Sequence, residues 1–253
     1  MTRIIMHGCN GKMGQVITKI LENDNEASIV AGIDIFNNIK NPYPVFTNIQ
    51  ELDVEGDVII DFSTANAVPS LIDYAKSKKI PIVLCTTGLN NNQIDLVNEA
   101  SKEIAILLSA NMSLGVNLLL NLVKKAAKTL SMANFDIEII EKHHNQKIDA
   151  PSGTALAFAE SINDSLNNEY TYTYDRSIDK VKRDSKEIGI HAVRGGTIVG
   201  EHSIIFAGKD EIVELNHNAL SKDIFAVGAI NAAKFLSHKS EGMYDMQNVI
   251  EGN

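Results

Sequence analysis

Short, almost wholly apolar runs alternate with segments of helical period through the first half of the chain. RIIMH (3–7) is strand-like and ends at Gly8, and Val16, Ile17, Ile20 and Leu21 then fall on one helical face. A second apolar run, 28–33, stops at Asp34. VIIDFS (58–63), IPIVLC (80–85) and IAILLS (104–109) are continuous enough in Val, Ile and Leu to be strands covered on both faces. Helices are predicted over 65–78 and 91–102 between them, and a helix with a broad apolar face over 114–130. This rhythm predicts a Rossmann-like, doubly wound parallel sheet.

After residue 130 the pattern changes. FDIEIIE (135–141) alternates as a half-exposed strand does, and 188–194, 197–206 and 211–216 read as further strands with little helix between them. The expectation is a second, α+β region with an open mixed sheet. The polar stretch 167–187 has no period and is expected to be a long surface loop. A last helix is predicted over 222–237.

Composition narrows the function classes. The 253 residues contain no apolar tract of membrane-spanning length, and the N-terminal stretch lacks the features of a secretory signal, so a cytoplasmic protein is expected. Cys9 and Cys85 are too few for a disulfide framework and wrongly spaced for zinc. A formal net charge of −9 argues against nucleic acid as a partner, and it means that an anionic substrate needs a local cluster of positive charge.

Two stretches carry chemistry. The first is Gly8-Cys9-Asn10-Gly11-Lys12-Met13-Gly14, between a predicted strand and a predicted helix. Its glycines differ in spacing from G-x-G-x-x-G, but the physics is the same: a tight turn, close backbone approach to a pyrophosphate, and a helix N-terminus facing the anion. Asp34 stands 20 residues after Gly14, where a ribose hydroxyl needs an acidic partner. Ile35 and Phe36 follow it in place of an Arg, which favours NADH over NADPH, although Lys12 is available to a 2′-phosphate. Asp61-Phe62-Ser63-Thr64 and Thr86-Thr87-Gly88 close two later strands. Each is readable either as a cofactor contact or as a turn or helix cap.

The second stretch is Glu141-Lys142-His143-His144-Asn145-Gln146-Lys147-Ile148-Asp149-Ala150-Pro151-Ser152-Gly153-Thr154-Ala155. A basic loop runs into Ser-Gly-Thr at the start of a predicted helix, whose N–H groups and hydroxyls suit a small dicarboxylate. The competing readings are a Ser152 that only caps the helix beside solvated charges, and a metal held by the His-His pair. No spacing here completes a metal set.

These stretches resemble dihydrodipicolinate reductases (4-hydroxy-tetrahydrodipicolinate reductases) of bacterial lysine and diaminopimelate synthesis. The resemblance runs almost end to end: GCNGKMG (8–14), DFST (61–64), TTG (86–88), SANMSLGVN (109–117), EKHHNQKIDAPSGTA (141–155), VRGGTIVGEH (193–202) and FAVGAINAAKFL (225–236). It implies a dinucleotide-binding domain over 1–113 completed by 222–253, and a substrate-binding and oligomerisation domain over 114–221 that assembles homotetramers. The implied NADH or NADPH lining is Gly8, Cys9, Asn10, Gly11, Lys12, Met13, Gly14, Asp34, Phe62, Ser63, Cys85, Thr86, Thr87, Gly88, Ala110, Asn111 and Met112. His144, Ser152, Gly153 and Thr154 would hold the substrate, with His143 the proton donor and Lys147 a second candidate; no metal is implied.

Two positions depart from the family pattern. Cys85 stands where family members often carry Gly, placing a thiol beside the nicotinamide pocket. Lys222 replaces a family arginine, keeping the charge and losing the bidentate fork. A different amino-acid or keto-acid dehydrogenase would account for the glycine loop but not for HHNQK followed by APSGT. A non-catalytic NAD(H) sensor would bind cofactor without turnover.

Overall fold

The computed structural model describes residues 1–109, 111–178 and 180–252. The chain divides into two compact units, Met1–Leu114 with Asp223–Asn253, and Gly115–Lys222.

In chain order the first unit begins with β1 (Thr2–His7), α1 (Lys12–Leu21), β2 (Ala27–Ile33), β3 (Val45–Phe46) and β4 (Val58–Asp61). It continues through α2 (Val68–Lys78), β5 (Ile82–Leu84), α3 (Asn91–Ala100) and β6 (Ala105–Leu108). The second unit contains most of α4 (Leu114–Ser131), then β7 (Asp136–His143), α5 (Gly153–Ser165), β8 (Thr171–Thr173), β9 (Glu187–Arg194), β10 (Gly200–Ala207) and β11 (Ile212–Ala219). The chain then returns to the first unit with α6 (Asp223–Leu236), β12 (Gly242–Tyr244) and α7 (Met246–Glu251).

The first unit is a seven-stranded parallel sheet in the order β12-β6-β5-β4-β1-β2-β3. Its central strands are apolar on both sides because both faces are covered. Ile4, Met6, Val58 and Ile60 join one core with α1 and α6, while Ile5, Ile59, Ile82 and Leu84 join the other with α2 and α3. The strand order reverses between β1 and β4, the point where ligands bind beyond the carboxyl ends of such sheets.

The second unit is a mixed sheet in the order β11-β10-β7-β9-β8, parallel at β7–β9 and β8–β9 and antiparallel elsewhere. Strand β7 alternates as its sequence predicts, and its inward residues Ile137 and Ile139 pack with Phe158 and Ile162 of α5 and Val123 of α4.

Three short elements escape the sequence pattern: β3, β12 and α7. The stretch 167–187 is also more structured than its polarity suggests. It contains β8, and Arg183 from this segment donates to Asp136 Oδ1 at 2.7 Å and Glu138 Oε1 at 3.1 Å, while Arg176 donates to Glu138 at 2.7 Å. No helix among the described residues is long and apolar enough to cross a membrane.

Candidate active site

In the first unit, the glycine loop forms between β1 and α1. Gly8 has φ +82, and a Cβ there would stand 2.5 Å from the carbonyl oxygen of Phe62. A Cβ on Gly14 would stand 2.4 Å from the Gly8 carbonyl oxygen, so both positions require glycine. Gly11 caps α1 with no side chain to occupy the helix N-terminus, leaving its amide end accessible to an anion.

Asp34, at the end of β2, accepts from the Asn10 N–H at 2.9 Å and from the Phe36 N–H at 3.0 Å, which ties the loop to the next strand. Asn10 in turn donates to the Phe36 carbonyl and accepts from Asn41 at 2.8 Å. Gly8, Gly11, Asp34, Phe62 and Ser63 border one cavity of about 440 Å³ beyond β1 and β4. Thr86 lies next to this group: its hydroxyl accepts from the Ser63 N–H at 3.0 Å.

Other expected cofactor residues are placed differently. The Cys9 side chain is fully buried in the core, and its thiol is pushed up to about 12 by burial and then by the Asp34 charge, so only its backbone faces the loop. Met112 is buried in the same core. Asn111 accepts from the Ser113 N–H at 2.8 Å. Lys12, Thr87 and Gly88 are exposed, Met13 is half-buried, and Cys85 is partly buried with its thiol raised by burial and then by the Asp61 charge. None of these borders the cavity. Ala110 lies outside the described residues.

The cavity has a wall that the sequence did not indicate: His7, the last residue of β1. Its Nδ1 lies 2.7 Å from Oδ1 of the fully buried Asp61, aligned with it across β1 and β4 but off the line of a hydrogen bond.

In the second unit, β7 ends at His143 and α5 starts ten residues later. Ser152 caps α5: its hydroxyl accepts from the Ala155 N–H at 3.2 Å and contacts His202 Nε2 at 3.1 Å. Its own N–H is already committed to Glu141 Oε1, at 3.0 Å. The expectation that Ser152 N–H holds a substrate carboxylate therefore narrows to the neighbouring positions. Gly153 is exposed, with nothing within 4 Å of where a Cβ would be, so the helix start is open there. Thr154 follows, half-buried. His144 is half-buried, and Lys147 forms an ion pair of 2.8 Å with Asp149, whose carboxyl is held down by that lysine.

Glu141, Arg194 and His202 are the site residues that sequence reasoning did not single out. Glu141 is fully buried at an inward position of β7, and Oε2 lies 2.6 Å from His143 Nδ1. Arg194 grips both carboxylate oxygens, Nη1 to Oε2 and Nη2 to Oε1, at 2.7 Å each. Burial alone would push the Glu141 carboxyl up, but the hydrogen bonds from Arg194, His143 and the Ser152 N–H outweigh it and hold it below the usual carboxylate range. His202 stands edge-on to His143 at 5.2 Å between ring centres; burial, and then the charge of His143, push it down to about 4. Among the described residues, no group of three or more His, Cys, Asp or Glu side chains is arranged to hold a metal.

Comparison with known proteins agrees with this geometry. Residues 2–112 match the family described as dihydrodipicolinate reductase, N-terminus, and residues 115–250 match dihydrodipicolinate reductase, C-terminus. The 4-hydroxy-tetrahydrodipicolinate reductase of Caldanaerobacter subterraneus subsp. tengcongensis is 51% identical over 251 residues, 99% of each chain. That of Clostridium novyi is 50% identical over the same length, again 99% of each. Among solved structures, the dipicolinate-bound dihydrodipicolinate reductase from Paenisporosarcina sp. TG-14 superposes with a TM-score of 0.82 at 24% identity, covering 98% of this chain and 99% of that one.

Proposed function

The chain belongs to the dihydrodipicolinate reductase family and catalyses the NAD(P)H-dependent reduction of 4-hydroxy-tetrahydrodipicolinate in lysine and diaminopimelate biosynthesis; on that premise, we propose that His143 is the acid that completes the reduction. The observation that carries this assignment is the 2.6 Å contact from His143 Nδ1 to a buried carboxylate beside an open helix start. An ionised carboxylate has no proton to give, so Nδ1–H is the donor and Nε2 is the nitrogen left for proton transfer.

The glycine loop fits a dinucleotide: Gly8 and Gly14 let the loop close tightly on Phe62 and on itself, Gly11 leaves the start of α1 without a capping side chain, and Asp34 stands at the end of β2. The cofactor supplies hydride. Asp34 suits a free ribose hydroxyl and repels a 2′-phosphate, and the exposed Ile35 and Phe36 beside it add no cation, which supports NADH as the preferred donor. His144, Lys147, Gly153 and Thr154 hold the two carboxylates of the ring, with Ser152 positioning the helix start. Lys147 is drawn off Asp149 when substrate arrives. Loss of the 4-hydroxyl as water gives the conjugated imine; hydride addition to that imine leaves an electron-rich enamine, and His143 gives it a proton.

The face of the second sheet away from α5 carries Ile140, Val193, Ile205 and Ile212 beside the Lys142–Glu201 ion pair of 3.0 Å, which supports assembly of homotetramers through this face. The two cysteines, both free thiols, suit a cytoplasmic location. The test is a coupled assay: substrate generated in situ from pyruvate and aspartate semialdehyde, with NADH and NADPH oxidation followed in parallel. Faster NADH oxidation supports the full reading. Faster NADPH oxidation overturns the cofactor preference alone, and oxidation of neither overturns the reaction.

A further inference from the structure

We infer that Glu141 and Arg194 are positioning residues that together set the pH at which His143 holds its proton, the carboxylate raising it and the guanidinium lowering it. The inference rests on His143 being the acid.

The sheet itself creates the arrangement. Glu141 and His143 are two residues apart on β7 and therefore share its inward face. In the parallel register of β7 and β9, His143 lies opposite Arg194, so the guanidinium reaches back along β7 to the carboxylate. Four donors converge on the two oxygens of Glu141: two from Arg194, one from His143 and the Ser152 N–H. Arg194 Nη2 also donates to the Asp149 carbonyl at 2.6 Å, which anchors the basic loop to the same cluster.

A buried carboxylate beside an imidazole favours the imidazolium. Left alone it would hold the proton too firmly for an acid that must give it up in each turnover. The forked cation on the same carboxylate offsets that pull. The other charged or titratable groups around His143 are His202 from β10, His217 beyond it on β11, and Lys147 and Asp149 from the loop. Neither His202 nor Lys147 hydrogen-bonds to Glu141, so they bear on His143 only through space. A Cβ added at Gly200 would stand 3.1 Å from His143 Nε2, so the absence of a side chain keeps that nitrogen clear.

The experiment uses full-length protein with labelled histidine and follows the His143 ring by NMR through a pH titration, the resonance being assigned with His143→Ala. Glu141→Gln should move the midpoint to lower pH by about one unit, a tenfold change in proton affinity. Arg194→Met should move it to higher pH. Arg194→Lys, which keeps the charge and loses the fork, should move it in the same direction as Arg194→Met but less, and it stands in if the Met variant does not fold. The falling limb of kcat against pH should follow each midpoint. Shifts of the same sign in the Glu141 and Arg194 variants, or none, overturn the inference. Opposed NMR shifts with an unmoved rate limb leave the tuning intact and overturn the assignment of His143 as the acid.

Discussion

Ser152 and His202 meet through their side chains: the hydroxyl that caps α5 lies 3.1 Å from His202 Nε2. The histidine is buried and its pKa is pushed down to about 4 from 6.5, first by burial and then by the charge of His143. Between those two values the unfolded chain binds a proton that the folded one refuses. Stability is therefore intact above pH 6.5 and falls as pH drops toward about 4, where the loss levels off. Over the whole window this one residue accounts for about 3 kcal/mol. His202→Gln, which keeps a hydrogen-bonding partner for Ser152, should flatten this part of the curve in urea unfolding at pH 4, 5, 6.5 and 7.5. Parallel curves for the two proteins would mean that the acid sensitivity comes from elsewhere.

His143→Ala should lower kcat about 10²-fold or more with a much smaller change in KM, because the imidazole acts on the proton transfer rather than on binding. Lys147→Ala should raise KM and lower kcat together. Steady-state rates at saturating cofactor separate the two. An unchanged kcat in His143→Ala would remove it from the acid role.

Gly14→Ala should abolish tight cofactor binding and destabilise the protein by about 1–3 kcal/mol. The added methyl would stand 2.4 Å from the Gly8 carbonyl oxygen and 2.6 Å from that of Cys9, both backbone atoms held by the loop. Calorimetric titration with NADH, alongside a melting curve, measures both effects. Wild-type affinity in this variant would mean that the loop does not hold the dinucleotide.

Asp34→Asn should raise the NADPH-to-NADH ratio of kcat/KM about tenfold by removing charge, at the cost of one of the two acceptors that now take the Asn10 and Phe36 N–H groups. An unmoved ratio would mean that discrimination lies outside the Asp34 carboxylate.

Much of this is written locally in the chain. Runs such as VIID and IVL read as buried strands because a parallel sheet covered on both faces tolerates no polar alternation. FDIEIIE read with a period of two puts Glu141 inward beside Ile137 and Ile139. What satisfies a carboxylate there is not local: Arg194 comes from 53 residues further on, and only the register of β7 with β9 brings it in. The same holds for Cys9. Its place in the glycine loop suggests the cofactor, but its side chain is taken up by the core, where its sulfur lies against Gly32. Strands of two or three residues, β3 and β12, are too short to show any period. The polarity of 167–187 suggests solvent, yet Arg176 and Arg183 spend their charge on Asp136, Glu138 and Glu187.

The return of the chain to its first unit governs the order in which the protein can form on a ribosome. Helix α6 supplies Ala226, Ala229, Ile230, Ala233 and Leu236 to the core beneath β1 and β4, Lys234 pairs with Asp24 and Glu26, and β12 closes the sheet against β6. Residues 1–114 therefore emerge first and finish last, since α1 covers only part of one face of their sheet and the rest waits for α6. The inserted unit 115–222 is complete earlier, and at roughly 5–20 residues per second it has a second or more to settle while its host still waits for its last helix and edge strand. The nascent sheet spends that interval without the apolar face that α6 adds to the core of Ile4, Met6 and Ile60, and this is the stage at which a holding chaperone has most to protect.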